Sequence, residues 1–398
     1  MATYFPRFFK PPGQSFFLFG PRGTGKTTFL RHHFPDALWI DLLRPEVHRR
    51  YLARPERLRE LTDARPGQLT VVIDEVQKAP NLLPVVHGLI EERQVGKEEQ
   101  KLRFVLTGSS ARKLKKTGVN LLAGRALYKT FHPFLFSELP FAYPMEKALR
   151  FGMLPLVLQA PEPEQTLDAY VSLYIREEVQ YEGLVRHAGH FSRFLEAVSF
   201  SHGQLLNLSN VARDCEVNRK TVENYVQILE DVLLAFKLPS FGKLKTAPFN
   251  KKAKRKLQAH PKFYFFDTGV FHTLRPKGPL DKPEEIAGAA LEGLVAQQLR
   301  AWNACNSKPF NLYFWRSRSG LEVDFILYGE KGFYAIEVKN SAKLKPEHLK
   351  SLNAFKKDHP QAQTLLLYRG SERLKIQGHL CLPCETFFAE LLPDRPPI

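Results

Sequence analysis

Cysteine is scarce in this chain: four residues in 398, at Cys215, Cys305, Cys381 and Cys384, with no spacing that suggests a disulfide framework. Cys381-Leu-Pro-Cys384 is a lone CxxC without a second ligand pair, so two ordinary thiols are expected rather than zinc or redox chemistry. Long apolar runs are missing as well. Stretches such as Ser15 to Gly20 and Thr70 to Ile73 fall far short of the roughly 20 residues that span a bilayer. Nor does the opening Met-Ala-Thr-Tyr-Phe-Pro-Arg contain an apolar signal core, which leads to the expectation of a cytoplasmic protein without a membrane partner. Acidic residues are outnumbered, 41 against 58 Lys and Arg, for a net charge of +17. That surplus fits a polyanionic partner such as DNA, the plain alternative being a generic basic surface. The surplus is uneven: residues 1–150 hold 25 basic and 14 acidic residues, 151–259 hold 14 and 12, and 260–398 hold 19 and 15. At this length a single core is unexpected, and two or three domains should share the chain.

What the chain does contain is concentrated first at Ser15 to Thr28. Phe16 to Phe19 read as a buried parallel strand, and Gly20-Pro21-Arg22-Gly23-Thr24-Gly25-Lys26-Thr27-Thr28 reads as a phosphate loop running into a helix. The glycines let the backbone curl so that its N–H groups and the helix N-terminus point at an anion. Lys26 adds a point charge for the β- and γ-phosphates of ATP, and the Thr27 hydroxyl is placed for Mg²⁺. From there the sequence alternates strands and helices as a parallel α/β sheet does. Strands are expected at Ala37–Leu42, Leu69–Glu75, Leu102–Thr107 and Leu127–Phe131, with helices at Arg44–Ala64, Leu82–Gln94 and between Ser110 and Leu122.

The third strand delivers Asp74 and Glu75 at its C-terminal end, the crevice where ligands of such sheets bind. Asp74 is assigned to the Mg²⁺ hydration shell and Glu75 to the attacking water. Thr107 and Ser109, at the end of the next strand, are candidates for the γ-phosphate or that water. Arg125 is either a surface arginine or a guanidinium inserted into a neighbour's site, where it stabilises transition-state charge. The second role requires a homo-oligomer, a ring such as a hexamer being one form.

GPRGTGKTT, VVIDEVQKAP, VLTGSSARKL and LLAGRALYKTFHPFLFSEL, followed by FGMLP, RKTVENYVQILED, FYFFDTGVF, LEGLVAQQL, WRSRSGLEVDFIL and AIEVKNS, resemble in order the AAA+-type ATPases of bacteria and archaea with a C-terminal domain of unassigned function. The resemblance covers nearly the whole chain. ARKLKKTGVNL, between Ser110 and Leu122, departs from it in being more basic, and extends the candidate polyanion surface.

After a proline-containing connection, Leu208–Arg213, a turn, and Asn218–Leu229 have the shape of a helix-turn-helix, with Ser209 and Asn218 as N-caps. Arg219, Lys220 and Asn224 occupy the face that would enter a major groove. Residues 151–242, however, hold seven basic and twelve acidic residues, so a winged-helix lid remains as good a reading as a sequence reader. The basic excess lies downstream, in Lys243, Lys245, Lys251, Lys252, Lys254, Arg255 and Lys256, taken as phosphate contacts with a solvated loop as the alternative.

The last segment opens with Lys262–Gly269 and a helix over Ile286–Trp302, then a hairpin, Leu321–Tyr328 and Gly332–Lys339. Glu337 and Lys339, two apart on one strand, share a face, and Asp324 lies across the turn. Asp followed thirteen residues later by Glu-x-Lys is similar to the PD-(D/E)xK nuclease core. That similarity implies Mg²⁺ on Asp324 and Glu337 with help from the Val338 carbonyl, Lys339 orienting the water, and Glu292 as the acidic helix residue.

The expected architecture is therefore α/β in three domains: a P-loop AAA+-like ATPase domain over 1–145, a winged-helix-like helical domain over 146–258, and a restriction-endonuclease-like α/β domain over 259–398. The expected function is ATP hydrolysis coupled to DNA engagement, with Mg²⁺-dependent cleavage as a conditional second activity. An ATP-driven remodeller without cleavage and a nucleotide-dependent scaffold for protein partners remain as alternatives. A metabolic kinase is disfavoured, because the Asp-Glu pair suits water activation.

Overall fold

The computed structural model describes residues 4–65, 69–95, 102–110, 112, 114, 122–140, 142–175, 188–242, 260–279 and 281–397. They fall into two compact units, Met1–His132 with Asp231–Leu233, and Pro133–Glu230 with Leu234–Ile398.

The first unit is built from β1 (Phe16–Phe19), α1 (Lys26–His33), β2 (Leu38–Asp41), α2 (Pro45–Ala53), α3 (Arg57–Asp63), β3 (Leu69–Asp74), α4 (Leu82–Val95), β4 (Leu102–Gly108) and β5 (Leu127–Thr130). Its sheet runs β2-β3-β4-β1-β5 with every neighbouring pair parallel. Parallel strands are covered on both faces, which is why FFLF and LTVVID are almost unbroken apolar runs. Phe17, Phe19, Ile40, Val71, Ile73, Phe104 and Leu106 form one core with Leu82, Val86 and Leu89 of α4. Because β1 lies between β4 and β5, the loop after it opens beside the ends of β3 and β4.

The single helix expected over Arg44–Ala64 is two. Arg54 takes an extended conformation (φ −145°, ψ 79°) before Pro55, whose ring excludes the helical region for its predecessor. Of the expected helix between Ser110 and Leu122, only Arg112 and Leu114 are described, so the basic ARKLKKTGVNL stretch otherwise lies outside the described residues.

The second unit begins with α5 (Met145–Phe151), α6 (Pro155–Leu158), α7 (Pro163–Ala169) and α8 (Ala188–Ser199). Next come β6 (Gln204–Leu205), α9 (Leu208–Asp214), α10 (Arg219–Asp231), β7 (Ala235–Leu238), β8 (Lys262–Phe265), α11 (Thr268–Leu274) and α12 (Pro283–Cys305). α9 and α10 form the expected helix-turn-helix, with Val222, Tyr225, Val226 and Leu229 buried on one stripe. Its first cap is displaced from expectation. Asn207, not Ser209, accepts the Ser209 and Asn210 N–H groups at 3.1 and 3.2 Å, while Asn218 caps α10 through Thr221 N at 2.8 Å. β8, expected to open the last domain, pairs antiparallel with β7 and β6 as the centre of a three-stranded sheet.

The remaining elements are β9 (Asn311–Arg316), β10 (Glu322–Gly329), β11 (Gly332–Lys339), α13 (Lys350–Asp358), β12 (Gln363–Tyr368), β13 (Leu374–Ile376), β14 (His379–Pro383) and α14 (Cys384–Glu390). They contain a six-stranded mixed sheet, β13-β14-β12-β11-β10-β9, in which β9, β10 and β11 are antiparallel and β11, β12 and β14 parallel. Leu352 and Phe355 of α13 pack on Val323, Ile326, Ala335 and Leu366. All four cysteines are free thiols, and burial pushes the Cys384 thiol up to about 12. Among the described residues no helix is long and apolar enough to cross a membrane.

Candidate functional site

β1 ends at Gly20, whose N–H donates to Gly108 O at 3.3 Å, so the loop leaves the sheet pinned to the end of β4. A Cβ on Gly20 would stand 2.3 Å from the Phe131 carbonyl oxygen, which explains a glycine there. Gly23 and Gly25 have φ of 80° and 85°, the left-handed region that lets the loop wrap before α1 begins. Thr24 is buried and its hydroxyl donates to Pro21 O at 2.8 Å. Lys26 Nζ folds back to Gly20 O at 2.6 Å and Pro21 O at 3.0 Å, while Arg22 and Thr28 are exposed at the rim. An unexpected brace comes from Arg7, which donates to Thr24 O at 3.1 Å and His132 O at 2.6 Å and stacks over Phe131.

The end of β3 meets this loop. Asp74, 2% exposed, accepts the Thr27 hydroxyl at 2.8 Å on one oxygen and the Thr107 hydroxyl on the other. Thr107 also accepts the Glu75 N–H at 3.2 Å. Glu75 itself sits at φ 61°, ψ 47°, a left-handed conformation that costs a non-glycine residue about 1–2 kcal/mol. Gln77, which sequence reasoning overlooked, donates to the Glu75 carboxylate and, at 3.2 Å, to Ser109 Oγ. The structure therefore brings together Lys26, Thr27, Asp74, Glu75, Thr107 and Ser109. Arg125 is ion-paired with Glu91 of α4. The hard oxygens of Thr27 and Asp74, side by side, fit the donor set that Mg²⁺ takes.

In the second unit the hairpin register sets Phe325 opposite Ile336, so Asp324 and Glu337 face each other. Asp324 accepts the Val338 N–H at 2.9 Å, and Lys339 Nζ reaches Glu337 at 2.5 Å. Glu292 of α12 joins them, bonded by the Tyr264 hydroxyl at 2.6 Å. Lys262, an unpredicted member, is 1% exposed, and its ammonium contacts Glu322 at 2.6 Å, Glu292 at 2.9 Å and Asp324 at 3.1 Å. Burial opposes the Lys262 charge, but the surrounding acids outweigh it and hold the ammonium well above its ordinary pKa. Burial, then the Asp324 charge, pushes Glu292 up to about 7 and raises Glu337 well above the usual carboxylate range. One Glu337 oxygen is buried without a hydrogen-bond partner. Among the described residues, no group of three or more His, Cys, Asp or Glu is arranged to hold a metal ion.

Arg219, Lys220 and Asn224 are all exposed on α10, away from its buried stripe. Lys251, Lys252, Lys254, Arg255 and Lys256 lie outside the described residues.

Comparison with known proteins matches three stretches of the chain to families. Residues 13–140 match a family described as an AAA domain, and residues 144–281 and 287–387 match two families described as domains of unknown function (DUF8612 and DUF4143). An uncharacterized protein of Mycobacterium tuberculosis is 26% identical over 367 residues, 90% of this chain and 77% of the relative. One from Methanocaldococcus jannaschii is 24% identical over 434 aligned positions, 93% of this chain and 83% of that protein. Among solved structures, the ORC2 protein of Aeropyrum pernix in its ADP form aligns over 72% of this chain and 89% of its own, at 11% identity and a TM-score of 0.32. DnaA from Aquifex aeolicus bound to AMPPCP aligns over 55% and 81%, at 12% identity and a TM-score of 0.25. Residues 13–140 thus combine a five-stranded parallel sheet and a phosphate loop after β1 with a match to a family described as an AAA domain.

Proposed function

We propose that this protein hydrolyses ATP at the Gly20–Thr28 loop, acts as a homo-oligomer, and couples hydrolysis to the engagement of DNA. One observation carries the reading: Asp74 accepts hydroxyls from both Thr27 and Thr107, and Thr107 takes the Glu75 N–H. Phosphate loop, acid pair and the end of β4 thus share one hydrogen-bond chain. The loop amides and Lys26 hold the triphosphate, the Lys26 ammonium exchanging its two carbonyl partners for phosphate oxygens. Thr27 and Asp74 would hold Mg²⁺, which when bound would neutralise phosphate charge. Glu75 takes the proton of the attacking water, with Gln77 and Ser109 fixing its carboxylate.

Arg125 serves a neighbouring protomer in this reading, the neighbour's triphosphate competing with Glu91 for its guanidinium. Mixing Arg125→Ala with Glu75→Gln, each inactive alone, should restore turnover at interfaces that combine an intact Glu75 with an intact Arg125. Absence of any recovery removes the shared site.

DNA engagement draws on the net charge of +17, on exposed Arg219, Lys220 and Asn224, and on the basic run ending at Lys256. The mixed sheet with Asp324, Glu337 and Lys339 on its central hairpin is read as a restriction-endonuclease-like fold that contributes to binding. A protein-binding scaffold is the competing reading, favoured by the acidic surroundings of the helix-turn-helix, where Glu216 pairs with Arg193 and Asp214 with Arg213. ATP turnover with duplex, single-stranded and branched DNA, at about 50 and about 200 mM salt, separates them. Stimulation that collapses at the higher salt supports DNA; no stimulation by any DNA supports the scaffold.

A further inference from the structure

The resemblance that points to cleavage requires a divalent cation between Asp324, Glu337 and Glu292, and that place already has a cation. Lys262 comes from outside the hairpin: it begins β8, the central strand of the three-stranded sheet, in register with Leu205 on one side and Leu238 on the other. Its side chain crosses to the acids, passing 5.8 Å over the Phe314 ring, and is 1% exposed. The ammonium donates hydrogen bonds to Glu292 and Asp324 and makes a close ion pair with Glu322, so three carboxylates surround it. We propose that Lys262 is the resident cation of this cluster and excludes a divalent metal from it, so that Asp324, Glu337 and Lys339 do not cleave phosphodiester bonds.

Both Asp324 oxygens, and one oxygen each of Glu292 and Glu337, are committed to other partners. One Asp324 oxygen serves Lys262 and the other the Val338 N–H. The bonded Glu292 oxygen serves Lys262 and Tyr264 together. One Glu337 oxygen is held by Lys339, which leaves the second as the buried oxygen of this group with no partner. Mg²⁺ demands oxygens at about 2.0–2.1 Å in near-octahedral array and gives up its waters reluctantly. A dication taking Asp324 and Glu292 would have to displace a lysine whose backbone is fixed by strands on both sides. Swinging it out would also leave the largely buried charges of Glu292 and Asp324 without their shared counterion.

This inference uses the endonuclease-like reading only to locate the expected metal, and it is tested without nucleotide or DNA affinity. The full chain is titrated with Mn²⁺ and free Mn²⁺ is read by EPR, for wild type, Glu337→Gln and Lys262→Met. Any binding near Thr27 and Asp74 is common to all three. Wild type and Glu337→Gln should retain equal Mn²⁺, and supercoiled plasmid incubated with wild type and Mn²⁺ should stay intact. Lys262→Met should gain one equivalent, with a Tm that rises on adding Mn²⁺ by several degrees more than the wild-type Tm does. Retention of one more Mn²⁺ by wild type than by Glu337→Gln, or nicking that Lys339→Ala abolishes, would overturn the proposal. So would a folded Lys262→Met that gains none. Should that variant not fold, wild type against Glu337→Gln decides alone. An inactive ATPase site would change none of these readouts.

Discussion

Lys262→Met keeps the length and apolar stem of the side chain and removes its charge. In wild type the ammonium holds Glu322, Glu292 and Asp324 at 2.6, 2.9 and 3.1 Å, with Lys262 itself 1% exposed. Taking one partner out of a buried ionic group costs about 3–5 kcal/mol, because the largely buried charges of Glu292 and Asp324 lose their counterion. For domains of this size each kcal/mol moves Tm by roughly 2–4 °C, so a fall on the order of 10 °C is expected near pH 8. The sign with pH follows from the acids. Glu292 already titrates at about 7, above its ordinary 4.5, chiefly through burial. A carboxyl raised in the folded state adds stability below its unfolded pKa, and that contribution disappears as pH climbs through the folded value. Loss of the ammonium raises the acids further, so the penalty should be largest at pH 8 and shrink as the pH falls toward 5. Thermal unfolding by circular dichroism across that range checks both points. A variant within about 2 °C of wild type at pH 8, or a gap that widens on acidification, would refute the reasoning.

Gly20→Ala places a Cβ 2.3 Å from the Phe131 carbonyl oxygen, a backbone atom that cannot rotate away. Overpacking of about 1–3 kcal/mol should lower Tm by several degrees and weaken binding of a fluorescent ATP analogue at least tenfold, as titration would show. Thr107→Val keeps the shape of the side chain but strands the Glu75 N–H and one Asp74 oxygen. An unmet buried polar group costs about 1–3 kcal/mol, so kcat should drop roughly 10- to 100-fold with KM little changed in steady-state assays.

Local chemistry made the first site legible. Gly20, Gly23, Gly25, Lys26 and Thr27 are fixed by what a phosphate demands of backbone and charge, and Asp74 follows an apolar strand that has to be buried. The hairpin was legible too, since its alternation and its tight turn set the Asp324–Glu337 register. Residues whose roles come from distant chain were not. Lys262 finds its acids 30 to 62 residues away, and nothing in Lys-Phe-Tyr-Phe announces an inward ammonium. Arg7 braces a loop 17 residues downstream from a segment without regular structure. Gln77 had a faint signal, lying two residues after Glu75 and opposite Gly108, where a Cβ would come within 2.4 Å of its amide oxygen. Residue preference alone favours Ser209 as the cap, but Asn207 prevails because its side-chain Oδ1 accepts two helix N–H groups at once. The break before Pro55 is readable from the proline itself, which disfavours helix at Arg54.

Phosphate release after a single turnover with ATP and Mg²⁺, wild type against Glu75→Gln, measures the central claim most directly. The account predicts that Glu75→Gln binds ATP within about threefold of wild type yet releases phosphate at least about a hundredfold more slowly. Release by Glu75→Gln at the wild-type rate, or none from wild type with any DNA present, would contradict it.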